Sequence, residues 1–179
     1  MGLVWDLGAG DAALQPFQTV ANAAAKALPS FGPVTVTAQK GYHMSFLYLC
    51  CLTKQEAAVV KAAAADNCGA GWPNLPVQFA RVTYQYNKPG AYSVTADVSP
   101  QNETRMQAMA TGFEACLQKR GAAVSVARAH QWAFHVTLGS ITSEDTFAGA
   151  VAAAEANKLD WSRARAVLNK PPKCTGALC

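Results

Sequence analysis

Short runs in which apolar and polar residues alternate recur along this chain, separated by Ala-rich stretches that open on helix-capping residues. Residues 3–7 form an apolar run that reads as an opening strand. A helix is expected after the glycines that follow it, reaching about residue 28, where Pro29, Gly32 and Pro33 end it. Residues 34–37 alternate like a strand and lead into a longer one over 42–49. Thr53 and Glu56 make a capping box ahead of a helix to about residue 66. Residues 67–76 read as loop, and 77–86 and 91–98 as two strands of a hairpin turned through Pro89 and Gly90. Ser99 and Pro100 open a helix to about residue 120, which Gly121 closes. A strand through residues 132–139 follows, then a helix from the cap-rich 142–145 to about 157, and a last strand near 163–168. The order predicts an α+β fold in one domain over 1–179, assembled from a duplicated unit and ending in a Pro-rich, basic tail at about 169–179.

Two of the strands carry the same chemistry. His43-Met44-Ser45-Phe46 in the first half returns as His135-Val136-Thr137-Leu138 in the second, with the histidines 92 residues apart (135 minus 43). Residues two apart on a strand share a face, so His43 and Ser45 project together, as do His135 and Thr137. Tyr42, Met44, Phe46 and Tyr48, and likewise Trp132, Phe134, Val136 and Leu138, fall on the opposite faces. If the two strands lie side by side, two imidazoles and two hydroxyls converge. Neutral histidine accepts a proton and its cation donates one near neutral pH, while hydroxyls donate hydrogen bonds to phosphate oxygens. Such a set suits displacement at phosphorus, one histidine activating the nucleophile and the other protonating the leaving oxygen.

These paired motifs resemble those of the 2H phosphoesterase superfamily, which includes 2′,3′-cyclic nucleotide phosphodiesterases and 2′-5′ RNA ligase-like proteins. The resemblance covers the order of elements from about residue 3 to 157. It implies a bilobal α+β fold, with two pseudo-symmetric lobes, each an antiparallel sheet with flanking helices, around an active-site cleft. It also implies a reaction that uses no metal and no cofactor. By the same resemblance His43 is the general acid that protonates the departing ribose 3′ oxygen, His135 the general base that activates water, and Ser45 and Thr137 hold the non-bridging phosphate oxygens. The expected activity is hydrolysis of 2′,3′-cyclic phosphates of nucleotides or short RNA ends to 2′-phosphates. The same site acting on ADP-ribose cyclic phosphate or 2′-5′ linked oligonucleotides is the alternative, as is a catalytically idle nucleotide-binding protein.

Further contacts to base or phosphate are sought among Lys40, Tyr42, Arg128, Trp132 and Phe134, although strand parity turns the three aromatic residues toward the core. Tyr84, Tyr86 and Tyr92 of the hairpin are other base platforms. His130 lacks a hydroxyl partner two residues on and reads as a structural or loop histidine.

Composition narrows the picture little. The chain is 51% hydrophobic and 15% charged, as in a globular protein, and its formal charge of +4 is spread along the sequence. No signal peptide or membrane span is evident, so a cytoplasmic monomer acting on a nucleotide or RNA-end cyclic phosphate is expected, with no membrane partner. Gly8-Ala9-Gly10 after a strand resembles a dinucleotide-binding turn, but no acidic residue lies between Asp11 and Glu56 to bind a ribose. Asp11 is instead a candidate helix cap. The six cysteines fit no zinc template. Cys50, Cys51 and Cys116 read as buried apolar residues, and Cys68, Cys174 and Cys179 as those able to pair in an oxidising setting.

Overall fold

A computed structural model describes residues 2–31, 34–49, 52–68, 74–88, 91–122, 126–127, 134–141 and 146–175. Its strands are β1 (Gly2–Asp6), β2 (Val34–Val36), β3 (His43–Leu49), β4 (Leu75–Lys88), β5 (Ala91–Val98), β6 (Val126–Ala127), β7 (His135–Ile141), β8 (Arg165–Leu168) and β9 (Lys173–Thr175). The helices are α1 (Gln15–Ala27), α2 (Lys54–Ala65), α3 (Pro100–Lys119) and α4 (Thr146–Ala156). The class is α+β, as expected, and its strands form a curled antiparallel sheet.

The strands follow one hydrogen-bonded path, in the order β8-β4-β5-β7-β3-β1-β9, with β2 added to β7 and β6 to β3. The two motif strands are therefore neighbours at the middle of the sheet. Their seam is narrow: β3 meets β7 in register at Met44↔Val136. Away from that pair each strand takes another partner, β3 pairing β6 at Tyr48 and Leu49, and β7 pairing β2 at Gly139 to Ile141. Within the path β1 and β9 lie on the β3 side of the seam, and β5, β4 and β8 on the β7 side.

One face of the sheet is apolar and packed. Leu3, Trp5, Met44, Phe46, Val94, Ala96, Val136 and Leu138 join a single buried cluster with Phe17 and Val20 of α1 and Met106 and Phe113 of α3. Burying these side chains is the main driving force for the fold, at roughly 1.5–3 kcal/mol for each large one. Helix ends are set by the capping residues the sequence offers. Thr53 and Glu56 complete their capping box on α2, and the Ser99 hydroxyl accepts from the Asn102 amide at the start of α3. Gly121, at φ 77°, closes α3 in the left-handed region.

Several expectations change. Asp11 caps a short 3-10 turn, Ala12–Leu14, and α1 begins only after it. β4 starts at Leu75, inside the expected loop, because β8 supplies a partner in the register Leu75↔Leu168. The basic tail contributes β9, which pairs with β1 through Leu3↔Cys174 and Val4↔Lys173. Cys116 is not an apolar core residue: it is bonded to Cys68, joining the end of α2 to α3 across a Cα–Cα distance of 6.0 Å. Cys174 is free and half-buried. Cys50, Cys51, Cys179 and the capping segment 142–145 lie outside the described residues.

Candidate active site

The register at the seam fixes how the motif side chains meet. Met44 and Val136 face each other and are fully buried, so their neighbours in sequence point to the other side of the sheet. In an antiparallel pair this sets Ser45 beside His135 and His43 beside Thr137, with the two histidines on a diagonal. His43 is exposed, and Ser45, His135 and Thr137 are half-buried. All four motif residues thus share one accessible face, as strict alternation predicts.

Both motif strands contain the same irregularity. Leu3 pairs with Leu47 and Val4 with Ser45, leaving Phe46 as an extra residue on β3. Val94 pairs with Gly139 and Thr95 with Thr137, leaving Leu138 as an extra residue on β7. Each bulge falls on the apolar residue that ends the motif, and each reverses the alternation after it. Tyr48 therefore joins His43 and Ser45 on the site face instead of the core. It is 48% exposed, and its hydroxyl lies 2.8 Å from Ser45 Oγ. Ser140 is the equivalent position on β7 and is half-buried. The internal repeat thus extends past the residues that announce it.

His43 is presented by the 3-10 turn Gln39–Gly41. The Gly41 carbonyl, an acceptor only, lies 2.9 Å from His43 Nδ1, so the Nδ1 nitrogen carries the proton of that bond and Nε2 is left to exchange one with a ligand. The turn is clamped from β1 and α1. The Leu7 and Gly8 amides donate to the Tyr42 carbonyl, and Gln18 Nε2 donates to the carbonyls of Leu7 and Ala9. Gln39 donates to Gln18 and accepts from Asn22. A Cβ on Gly8 would stand 2.1 Å from the Gln39 carbonyl oxygen, so this glycine serves a close backbone approach and not a dinucleotide phosphate.

The polar face continues sideways from the motifs. On β1, Asp6 stands opposite His43, accepts from the Gly8 amide and pairs with Lys173 Nζ of β9 at 3.2 Å. An open pocket of about 370 Å³ lies beside His43, with Val4, Asp6, Lys40, Lys173 and Thr175 in its wall. On the other side Asp97 of β5 stands opposite His135, and Thr95 opposite Thr137. Asp97 is buried, and burial pushes its carboxyl above the usual range, against the lowering effect of Thr83, Thr95, His135 and Arg81. Among the described residues no cluster of three or more His, Cys, Asp or Glu side chains could hold a metal ion.

No family model matches the sequence, and no curated protein sequence does. Among solved structures, TT0787 of Thermus thermophilus superposes with a TM-score of 0.54 at 13% identity, over 80% of this chain and 75% of that one. Kluyveromyces marxianus Usb1 gives 0.52 at 12% identity, over 92% and 82%, and its structure with uridine monophosphate gives 0.53 at 12%, over 91% and 83%. The chain has the fold of the 2H phosphoesterases.

Within this 2H fold the remaining sequence candidates separate. Lys40 is exposed beside His43, lining the pocket. The Tyr42 ring is 1% exposed and packs against Phe17, with its hydroxyl pushed up to about 12 by burial. Phe134 is equally buried and stacks on Phe46 at 6.3 Å. Both rings are core, as their strand parity requires, and neither can stack on a base. Tyr84 and Tyr92 stack on each other on the helix side, where a Cβ on Gly149 of α4 would meet the Tyr84 ring. Arg128, His130 and Trp132 lie outside the described residues, as does the Tyr86 side chain. Two residues that sequence reasoning missed, Tyr48 and Asp97, sit on the site face. Tyr48 was hidden by the bulge and Asp97 by the absence of any sign that β5 borders β7.

Proposed function

We propose that this protein is a phosphodiesterase that hydrolyses 2′,3′-cyclic phosphates of nucleotides or short RNA ends to 2′-phosphates by two-histidine acid/base catalysis without a metal. The observation that carries the reading is the Met44↔Val136 seam, which leaves both histidine and hydroxyl pairs on one accessible face. A cyclic phosphate seated over that pair would have Ser45 and Thr137 as donors to its non-bridging oxygens. His135 would take a proton from water as the water oxygen bonds to phosphorus. His43 would give its Nε2 proton to the ribose 3′ oxygen as the phosphorus–3′ oxygen bond breaks. The ring opens, water is consumed, and the proton removed at one histidine is replaced at the other.

The diagonal of the two histidines suits this division, because attacking and leaving oxygens stand on opposite sides of the phosphorus. The pocket beside His43 has the exposed Lys40 in its wall, a cation on the leaving-group side, while Lys173 is paired with Asp6. The solved complex of a fold neighbour with uridine monophosphate supports a nucleotide as the ligand class. The reading is tested with EDTA-treated protein and 2′,3′-cyclic nucleotides. Turnover is expected in the wild type, and its loss in both His43→Ala and His135→Ala, each still folded; full activity in either variant would overturn it.

A further inference from the structure

We propose that Asp97 is a positioning residue for His135, a buried carboxylate across the β5–β7 pair that orients the imidazole and stabilises its protonated form. The inference rests on the proposed acid/base role of His135. Asp97 and His135 are direct cross-strand partners, so their side chains leave the sheet on the same face. Asp97 is 3% exposed and, among the described residues, the only buried acidic side chain. Its Oδ1 accepts from the Thr95 hydroxyl at 2.9 Å and its Oδ2 from the Thr83 hydroxyl at 2.8 Å. The two hydroxyls are 3.0 Å apart, so they form a cradle that fixes the carboxylate.

Among the described residues, the charged and titratable groups that act on Asp97 are Arg81 and His135. From β4 comes Arg81, whose Nε is 3.9 Å from Oδ2 while most of its side chain is in solvent. From β7 comes His135. The amide of Phe134, one residue before His135, donates to Glu103 of α3 at 2.7 Å, which pins the start of the motif strand from the helix side. An exposed arginine at that separation is a poor reason to bury a carboxylate, because screening leaves such contacts weak. A threonine or valine would fill the same place on β5 with less desolvation. The sheet keeps an acid where a histidine needs a fixed acceptor and an opposite charge, an arrangement that tunes basicity in many sites.

The energetics give the proposal a distinctive signature. Because burial raises the Asp97 carboxyl above its unfolded value, its contribution to stability is fully present below the unfolded pKa and is lost as pH rises through the folded one. Once ionised, the carboxylate is therefore a stability cost, and Asp97→Asn should fold with an unchanged or higher Tm. The same variant should lose about 10- to 100-fold in kcat/KM, the range seen when the partner that orients a metal-bound histidine is removed. The His135 ring titration, followed by NMR in the absence of substrate, should move to lower pH in the variant, because an adjacent negative charge has gone.

An Asp97→Asn protein that is folded and has the wild-type His135 titration would overturn the proposal, and so would a fall in Tm with activity and titration unchanged. In wild type, the side-chain carboxyl carbon of Asp97 should respond to the His135 titration, and its silence would also overturn it, whether or not the variant folds. Because the titration needs no substrate, a His135 shift in a protein that opens no cyclic phosphate would remove the proposed reaction and leave the Asp97–His135 coupling standing.

Discussion

Tyr48 brings a hydroxyl to Ser45 from a position that strict alternation assigns to the core. The Ser45–Tyr48 contact matters because a serine hydroxyl has one proton to give. If the Tyr48 hydroxyl donates to Ser45 Oγ, the serine proton is free for a phosphate oxygen. Tyr48→Phe removes that donor and little else, since the ring is half exposed. Losing one neutral hydrogen bond of about 0.5–1.5 kcal/mol is expected to lower kcat/KM by roughly 2- to 12-fold. The stability change should stay within about 0.5 kcal/mol, as for other surface substitutions. Steady-state kinetics beside a urea melt checks both. At this scale the motif residues were legible in the sequence, because a two-residue period alone tells which side chains share a face. Tyr48 was not, since an inserted residue leaves no mark on composition or spacing. Asp97 was not, because its meaning depends on His135, 38 positions away, becoming its cross-strand partner (135 minus 97).

Elements act here by holding one another close. The 3-10 turn Gln39–Gly41 delivers His43 only because the chain at Gly8 passes beneath it. Gly8→Ala puts a methyl carbon 2.1 Å from the Gln39 carbonyl and 2.9 Å from Lys40 backbone atoms. Backbone on both sides must shift, and overpacking of this kind costs about 1–3 kcal/mol. The variant is expected to unfold at lower urea and to lose activity beyond its loss of stability, because the turn also supplies the acceptor for His43 Nδ1. The helices and their caps were readable beforehand: the Thr53–Glu56 box and the Ser99 cap are local chemistry, decided within four residues. The short strands were not. β9 is three residues long, and its partner β1 lies at the far end of the chain, so its pairing has no local signal. β4 reaches back to Leu75 for the same reason, through β8.

For the molecule as a whole, the bond between Cys68 and Cys116 closes a loop with a sequence separation of 48 and ties α2 to α3. Loop-closure entropy for that length corresponds to about 4 kcal/mol of stabilisation. Reduction, or Cys116→Ser, should therefore move the denaturation midpoint far more than any surface change, with the site left in place once the protein is folded. Such bonds persist in oxidising compartments. Among the described residues no helix is long and apolar enough to cross a membrane. The α+β class and the doubled motif could be read in advance, whereas the single path of strands and the β3–β7 seam required the structure. That seam is where the account stands or falls. The most direct test follows a 2′,3′-cyclic nucleotide by phosphorus NMR with EDTA-treated protein. Conversion to the 2′-phosphate by wild type, and none by folded His43→Ala or His135→Ala, is the expected result; an unchanged cyclic phosphate, or turnover that survives loss of either histidine, would contradict it.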